Sequence, residues 1–133
     1  VYKRRDDVFG VVHTHSTFCT AWACRGKTMP CITSEGAELV GGTVKCAAFV
    51  PPGSIELAEV TSEALGNDSA VLMGNHGVIC VGANIDKAFN NAIIMEKEAK
   101  VAFYAYQMGD VNTLDEQMCI YLKEDVEKNY GQR

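Results

Sequence analysis

Long hydrophobic runs are missing from this 133-residue sequence. No stretch of about 18 apolar residues occurs, so the sequence predicts no membrane-spanning helix. The first ten residues, VYKRRDDVFG, are charged and contain no apolar segment of the kind that a signal peptide needs. We therefore expect a protein without a membrane partner.

Positive charge is also scarce. The chain has 12 lysines and arginines against 17 aspartates and glutamates, a net charge of −5. Only Lys3, Arg4 and Arg5 lie next to one another. Nucleic-acid binding usually requires a basic face, so this composition argues against a nucleic-acid partner.

The six cysteines form no C-x-x-C pair. This absence excludes a zinc ribbon and a thioredoxin-like redox motif. Cys46 and Cys80 lie in apolar segments, where a free cysteine behaves as a small hydrophobic residue. We expect reduced thiols and a cytoplasmic location, because disulfide frameworks are typical of shorter secreted chains.

Hydrophobic residues make up 47% of the chain and charged residues 22%, which predicts one folded domain over residues 1–133. Periodicity and breaker residues predict a β-α-β-α-β-β-α-α order, in which a layered α/β domain surrounds a mixed sheet. The predicted strands are 8–16, 43–50, 70–73 and 78–81. The predicted helices are 18–24, 55–65, 85–108 and one opened by a capping box at 113–116, with loop and a short helix over 28–42.

All three histidines fall in two short motifs, His13-Thr14-His15 and Asn75-His76-Gly77. Residues two apart in a strand point to the same face, so His13 and His15 can converge on one point. His76 lies in a predicted turn, where backbone can approach a ligand closely. Three neutral imidazoles suit zinc, cobalt or a similar divalent ion. The spacing alone leaves open that they are polar residues at a strand end and in an ordinary turn.

Several other groups are weaker candidates for chemistry, each with a simpler structural interpretation. A Cys-His nucleophile is conceivable, although buried structural cysteines are commoner. Loop carboxylates and glycine-flanked N–H groups could contact a substrate or an anion. These candidates are Cys19, Cys24, Glu35, Glu38, Glu96 (predicted to be buried and paired), Gly41-Gly42 and Gly53-Ser54, while Phe103, Tyr104 and Tyr106 are predicted to pack in the core or an interface.

Three segments together resemble the class II aldolase family, whose members include fuculose-phosphate aldolases and ribulose-phosphate 4-epimerases. The first segment runs from Tyr2 to Ser16 and contains His13-Thr14-His15. The second is Phe49-Val50-Pro51-Pro52-Gly53-Ser54, and the third runs from Gly74-Asn75-His76-Gly77 into the long helix through Glu96. The ending Tyr130-Gly131-Gln132 is similar to some members as well.

The resemblance implies a three-layer α/β/α fold around a mostly antiparallel sheet. It implies that His13, His15 and His76 bind a metal, usually zinc, which acts as a Lewis acid and stabilises an enediolate. The implied function is aldol cleavage of a phosphorylated sugar such as L-fuculose 1-phosphate. Family members often form homotetramers with the site at a subunit interface.

The same resemblance assigns no catalytic residue within this chain. In the family, a phosphate-binding region and an acid/base glutamate lie in a segment that corresponds to sequence upstream of Val1. We therefore expect the chain to represent the C-terminal two-thirds of the usual domain and to begin within the helix that follows that glutamate. A tyrosine of some aldolases has no clear match, and Ser34 and Glu35 lie near its position.

Three other functions fit the same resemblance. An L-ribulose-5-phosphate 4-epimerase and a dehydratase would use the same histidines, so the sequence does not separate them from an aldolase. A non-catalytic adducin-like scaffold has the same fold. The three histidines favour an enzyme, whereas the unmatched glutamate favours a scaffold for this chain by itself.

Overall fold

A computed structural model describes residues 1–129 of the chain, and the segment Tyr130-Gly131-Gln132 lies outside the described residues. The elements follow the predicted alternation, and helix α2 is the short helix expected within residues 28–42. Their bounds are β1 (Gly10–Thr14), α1 (Thr17–Ala23), α2 (Ser34–Leu39), β2 (Cys46–Ala47), α3 (Ile55–Leu65), β3 (Ala70–Met73), β4 (Gly77–Gly82), α4 (Ile85–Met108) and α5 (Glu116–Asn129). None of the helices in this part of the chain is long and apolar enough to span a bilayer.

The four strands form one sheet in the order β1-β4-β3-β2. Strand β4 pairs antiparallel with both β1 and β3, whereas β2 pairs parallel with β3. The predicted mixed, mostly antiparallel sheet is therefore confirmed. Because β1 lies beside β4, residues about 65 positions apart in sequence become neighbours at one end of the sheet.

Alternating side chains give the sheet two apolar faces, because successive strand residues point to opposite sides. Helices α1 and α4 pack on one face and α3 packs on the other, over β2 and β3. The first face contributes Val12, Cys46, Ala70, Leu72, Val78 and Cys80. The second contributes Val11, Ala47, Val71, Ile79 and Val81. This arrangement confirms the predicted α/β/α layering.

Helix starts are set by short polar side chains. Ser54 accepts from the backbone N–H of Leu57 at the start of α3, as expected for an N-cap. At the start of α5, the Asp115 carboxylate accepts from the N–H of Met118 at 2.8 Å. The capping box expected at Thr113 is therefore wrong, since Asp115 provides the cap.

The strand predicted over 43–50 is much shorter in the structure, where β2 covers only Cys46–Ala47. The segment divides its hydrogen bonds between two neighbours. Val44 exchanges two backbone hydrogen bonds with Met29, each at 2.8 Å. The carbonyls of Lys45 and Ala47 accept from the N–H groups of Leu72 and Gly74. Pro51, which has no N–H to donate, follows soon afterwards, so a longer ladder does not form.

The first eight residues form turns and not the end of a helix, contrary to expectation. The N–H of Arg4 bonds to the carbonyl of Val1 at 2.8 Å. The Arg5 guanidinium then donates to the carbonyls of Gly66 and Asp68 and pairs with Asp7. These long-range contacts fasten the start of the chain beside the end of α3.

Apolar residues recur along the sequence from Ile85 to Tyr106 and predict a wide buried face for α4, but the face that is buried is narrower. Its buried positions are mostly small residues that let the helix approach the sheet closely: Ala88, Ala92, Met95, Ala99 and Ala102. The bulkier Ile85, Phe89 and Ile93 are 57%, 55% and 52% exposed. These three residues, spaced four apart, form an apolar stripe along the outer side of α4, which we call the α4 stripe.

Candidate metal centre

The three histidines of the chain meet at one end of the sheet. Their ring centroids are 4.8 Å apart for His13 and His15, 5.0 Å for His13 and His76, and 4.8 Å for His15 and His76. One nitrogen from each ring lies within 4.8 Å of the others. The pairing of β1 with β4 produces this convergence, because β1 carries His13 and the turn before β4 carries His76.

His13 is held by backbone pairing in the sheet and by a hydrogen bond of its ring. Its backbone pairs with Ile79, and its Nδ1 lies 3.0 Å from the carbonyl oxygen of Val78. A carbonyl only accepts, so Nδ1 is assigned the proton and Nε2 keeps its lone pair. That Nε2 lies 3.0 Å from Nε2 of His15. A backbone partner of this kind fixes the tautomer that metal-binding histidines need.

His76 is placed by a tight turn between β3 and β4. The turn closes with a bond from the His76 N–H to the Met73 carbonyl, and Asn75 adopts a left-handed φ of 53°. Asparagine tolerates this conformation better than most residues. Burial lowers the pKa of His76, and the neighbouring His13 and His15 lower it further. The neutral imidazole, which is the form that binds metals, is thereby favoured.

The donor set fits a divalent ion of the zinc type. Zinc–nitrogen bonds of about 2.0–2.1 Å at tetrahedral angles place two ligand nitrogens about 3.3 Å apart, close to the 3.0 Å between His13 and His15. Nδ1 of His76 is buried without a hydrogen-bond partner among the described residues. Three histidine ligands also leave a coordination position for a substrate. No carboxylate of residues 1–129 belongs to the cluster.

Gly77 lets the two histidine-bearing segments approach each other. A Cβ at this position would lie 2.4 Å from the Thr14 carbonyl oxygen and 3.0 Å from Cδ2 of His15. The oxygen belongs to backbone paired in the sheet, so it has little room to move. Gly77 is therefore required by packing at the site itself.

We predict that Gly77→Ala weakens zinc binding and lowers stability by about 1–3 kcal/mol, the usual range for overpacking. The added methyl group must push the end of β1, and with it His15, away from His76. Denaturant unfolding and zinc titration measure the two effects.

Gly82→Ala is the matched control for this variant. Gly82 lies at the other end of β4, where a Cβ would meet the Ala88 nitrogen at 2.8 Å, remote in the strand from the histidines. We expect it to lower stability while leaving zinc affinity unchanged. Equal zinc affinity in Gly77→Ala and the wild type would refute the packing argument.

The cysteine candidates lie outside the cluster. Cys19 is fully buried in the core, and burial raises its pKa to about 12. Cys24 is exposed at the end of α1. A thiol with so high a pKa is a poor nucleophile, so the structural interpretation of Cys19 is the better one.

The carboxylate candidates also have other partners. Glu35 and Glu38 lie in helix α2 and not in a loop, which corrects the expectation, and Glu35 forms an ion pair with Lys97. Glu96 is half-buried and accepts hydrogen bonds from backbone N–H groups at the start of α1. This agrees with the prediction that it is buried and paired. Ser34, near the position of the family tyrosine, is the first residue of α2 and is exposed.

The glycine pairs and the aromatic residues supply no further site. Gly41 and Gly42 pack against Lys123 and Cys119, and the Ser54 hydroxyl is already used as a helix cap. Of the two alternatives expected for the aromatic residues of α4, core packing is wrong, and packing in an interface stays a prediction. Phe103, Tyr104 and Tyr106 are 42%, 53% and 42% exposed and stack on Phe18 and Trp22.

Two elements of the site were missed by reasoning from the sequence. The sequence predicts that backbone at the Gly77 turn approaches a ligand, whereas in the structure Gly77 approaches Thr14 and His15. The Val78 carbonyl that orients His13 has no sequence signal, because it depends on the register between β1 and β4.

Comparison with known proteins supports the resemblance. Residues 1–103 match the model of the class II aldolase and adducin N-terminal domain. An L-fuculose phosphate aldolase of Methanococcus maripaludis is 33% identical over 103 residues, covering 77% of this chain and 56% of the relative. A 5-deoxy-D-ribulose 1-phosphate aldolase of Bacillus thuringiensis is 32% identical over 132 residues, covering 99% and 61%. A solved L-fuculose 1-phosphate aldolase superposes with a TM-score of 0.91 at 29% identity, covering 95% and 59%.

The chain belongs to the class II aldolase and adducin family, because the family match extends over more than half of its length. It spans about three fifths of the length of these relatives. Its fold is that of the fuculose-phosphate aldolases.

Proposed function

We propose that the chain forms most of a metal-dependent aldolase that acts on a phosphorylated sugar. The convergence of His13, His15 and His76 carries this proposal. A structural zinc site usually has four protein ligands, whereas three ligands and an open position are typical of catalytic sites. A divalent ion bound there would supply a Lewis acid that polarises a substrate carbonyl oxygen.

The residues around the cluster orient the three histidine side chains as metal ligands, and we assign none of them a proton transfer. The Val78 carbonyl fixes the ring of His13, and the turn at Asn75 fixes His76. His13 and His15 are exposed, so a substrate can reach them from solvent. The Glu96 carboxylate at the start of α1 already accepts hydrogen bonds from the backbone N–H groups of Phe18 and Cys19.

The proposed substrate class comes from the relatives. Their names specify L-fuculose phosphate and 5-deoxy-D-ribulose 1-phosphate, which are both phosphorylated ketoses. We propose zinc as the metal, because imidazole ligands suit it. A cytoplasmic location stays a prediction.

The alternatives use the same fold. An epimerase or a dehydratase would need the same three histidines, while a scaffold of the adducin type would not need them. Three imidazoles with a fixed tautomer at His13 therefore favour an enzyme over a scaffold.

A substrate panel tests the proposal. The protein, joined to the upstream part of a relative and loaded with zinc, is incubated with L-fuculose 1-phosphate, 5-deoxy-D-ribulose 1-phosphate and L-ribulose 5-phosphate. We expect release of triose phosphate from at least one of the first two. Inversion at C4 of L-ribulose 5-phosphate without cleavage would instead identify an epimerase, and loss of water a dehydratase. Absence of any zinc-dependent conversion would favour the scaffold.

We also propose that the protein forms a homo-oligomer, a tetramer by analogy with its family. The α4 stripe of Ile85, Phe89 and Ile93 supports this proposal, because contiguous exposed apolar residues often mark protein–protein contacts.

A further inference from the structure

The start of helix α1 is capped by a side chain from a distant helix. Ser16 occupies the N-cap position, but its side chain makes no capping hydrogen bond. The Glu96 carboxylate on α4 accepts instead from the N–H of Phe18 at 2.9 and 3.1 Å and from that of Cys19 at 3.0 Å. These are the second and third residues of α1, whose N–H groups an N-cap side chain normally satisfies.

His15 lies outside the strand and the turn that hold the other two histidines. His13 is paired within β1 and bonded to Val78, and His76 is closed into its turn by the Met73 carbonyl. His15 lies in the two-residue connection between the end of β1 at Thr14 and the start of α1 at Thr17. The position of that connection is set by its two anchored ends.

Glu96 provides the anchor at the α1 end. Burial raises the pKa of Glu96, but hydrogen bonds from the N–H groups of Phe18 and Cys19 and from the side chains of Ser16 and Cys19 together outweigh burial, so its pKa lies below the ordinary value. The group is therefore a carboxylate at neutral pH. Hydrogen bonds to an ionised acceptor are stronger than neutral ones, which suits a contact that joins two elements about 78 residues apart.

We propose that Glu96 is a positioning residue for His15: by holding the first turn of α1, it places the His15 imidazole beside those of His13 and His76. The inference rests on the proposed metal-binding function. It assigns Glu96 no contact with the substrate and no transfer of a proton.

The same helix offers a matched control. Glu98 is a carboxylate that is only 4% exposed, and it accepts a hydrogen bond from the Thr33 hydroxyl at 2.6 Å. Thr33 is the N-cap of α2, so Glu98 supports a different helix start. Removal of Glu96 disturbs the start of α1, and removal of Glu98 disturbs the start of α2. Of these two helices, α1 is the one that follows His15 in the chain.

The first test measures zinc affinity by chelator competition and records the visible spectrum of the cobalt-substituted protein. Glu96→Ala is expected to weaken zinc binding by about 10–100-fold, the effect typical of groups that orient metal ligands, and to alter the cobalt spectrum. Glu96→Gln is expected to show a smaller loss, because its amide oxygen retains one of the bonds. Glu98→Gln is expected to keep wild-type affinity and spectrum.

The outcomes separate positioning from general stability. Wild-type zinc affinity in Glu96→Gln and Glu96→Ala would overturn the proposal, as would an equal loss in Glu98→Gln. If Glu96→Ala does not fold, the comparison of Glu96→Gln with Glu98→Gln decides.

A second test is independent of metal and therefore of the proposed function. Nuclear magnetic resonance of the histidine ring nitrogens in the metal-free protein should show a changed His15 signal in Glu96→Gln, with Nδ1 of His13 unchanged. An unchanged His15 signal would overturn the positioning role. Failure of the wild type to bind zinc, together with a changed His15 signal, would reject the proposed function while keeping the contact between Glu96 and the His15 segment.

Discussion

Replacement of His15 by alanine is expected to abolish tight zinc binding. Groups that only orient a ligand change metal affinity by about 10–100-fold, so the loss of a ligand should exceed that range. Because His15 is exposed, its truncation should have little effect on folding, within about 0.5 kcal/mol. Metal analysis after dialysis is the direct measurement, and His13→Ala and His76→Ala should behave alike.

A thermal-unfolding experiment adds a second measurement of the same site. At a free zinc concentration of about 100 times the dissociation constant, binding stabilises the native state by about 2.7 kcal/mol. Wild type should therefore melt at a higher temperature with zinc, and His15→Ala should not respond.

Cys24→Ser is the control for the histidine variants. Cys24 is exposed, and exposed thiols also bind zinc. This variant should retain the zinc of the wild type. Equal zinc content in wild type and His15→Ala would reject the histidine site, and loss of zinc in Cys24→Ser would point to adventitious thiol binding.

The sequence predicted those parts of the site that depend on local structure. His13 and His15 share a face because strand side chains alternate with a period of two, and β1 supplies that geometry. The turn at 74–77 follows from its asparagine and glycines. The approach of His76 to His13 is different, because it depends on the pairing of β1 with β4, strands more than 60 residues apart.

Long-range packing also explains the wrong predictions. Periodicity predicts a wide apolar face for α4, but its buried positions are mostly alanines, together with Asn91, Met95 and Glu98, and Phe89 is exposed. The strand predicted over 43–50 was shortened because Val44 pairs with Met29. The capping of α1 by Glu96 could not be predicted locally, since its partners lie about 78 residues away.

The proposed chemistry also predicts which parts of an aldolase this chain supplies. Aldol cleavage needs a polarised carbonyl and a positioned group that moves a proton. Within residues 1–129 the histidine cluster contains no carboxylate. The carboxylate of Glu35, a candidate from the sequence, forms an ion pair with Lys97. We therefore expect the proton-transfer group to come from outside these residues, as the family resemblance implies for its glutamate.

Addition of the upstream segment is accordingly expected to raise the aldolase rate sharply. We compare the 133-residue chain with a chimera in which the part of the Methanococcus maripaludis L-fuculose phosphate aldolase that precedes the matched region is joined to Val1. General acid–base catalysis is worth about 10²–10⁴-fold, so the chimera should exceed the chain alone by at least about 100-fold on L-fuculose 1-phosphate. Both proteins should bind zinc.

Two control variants test whether the higher rate needs both the histidine cluster and the upstream glutamate. His15→Ala in the chimera should remove the gain, because the added segment has no function without the histidine cluster. Substitution of the upstream glutamate by glutamine should also return the chimera to the rate of the chain alone, since the amide cannot accept the proton. Full aldolase activity from the 133-residue chain would contradict the prediction. If Glu35→Gln then abolished that activity, Glu35 would be the proton-transfer group, and the assignment of this role to an upstream residue would be wrong.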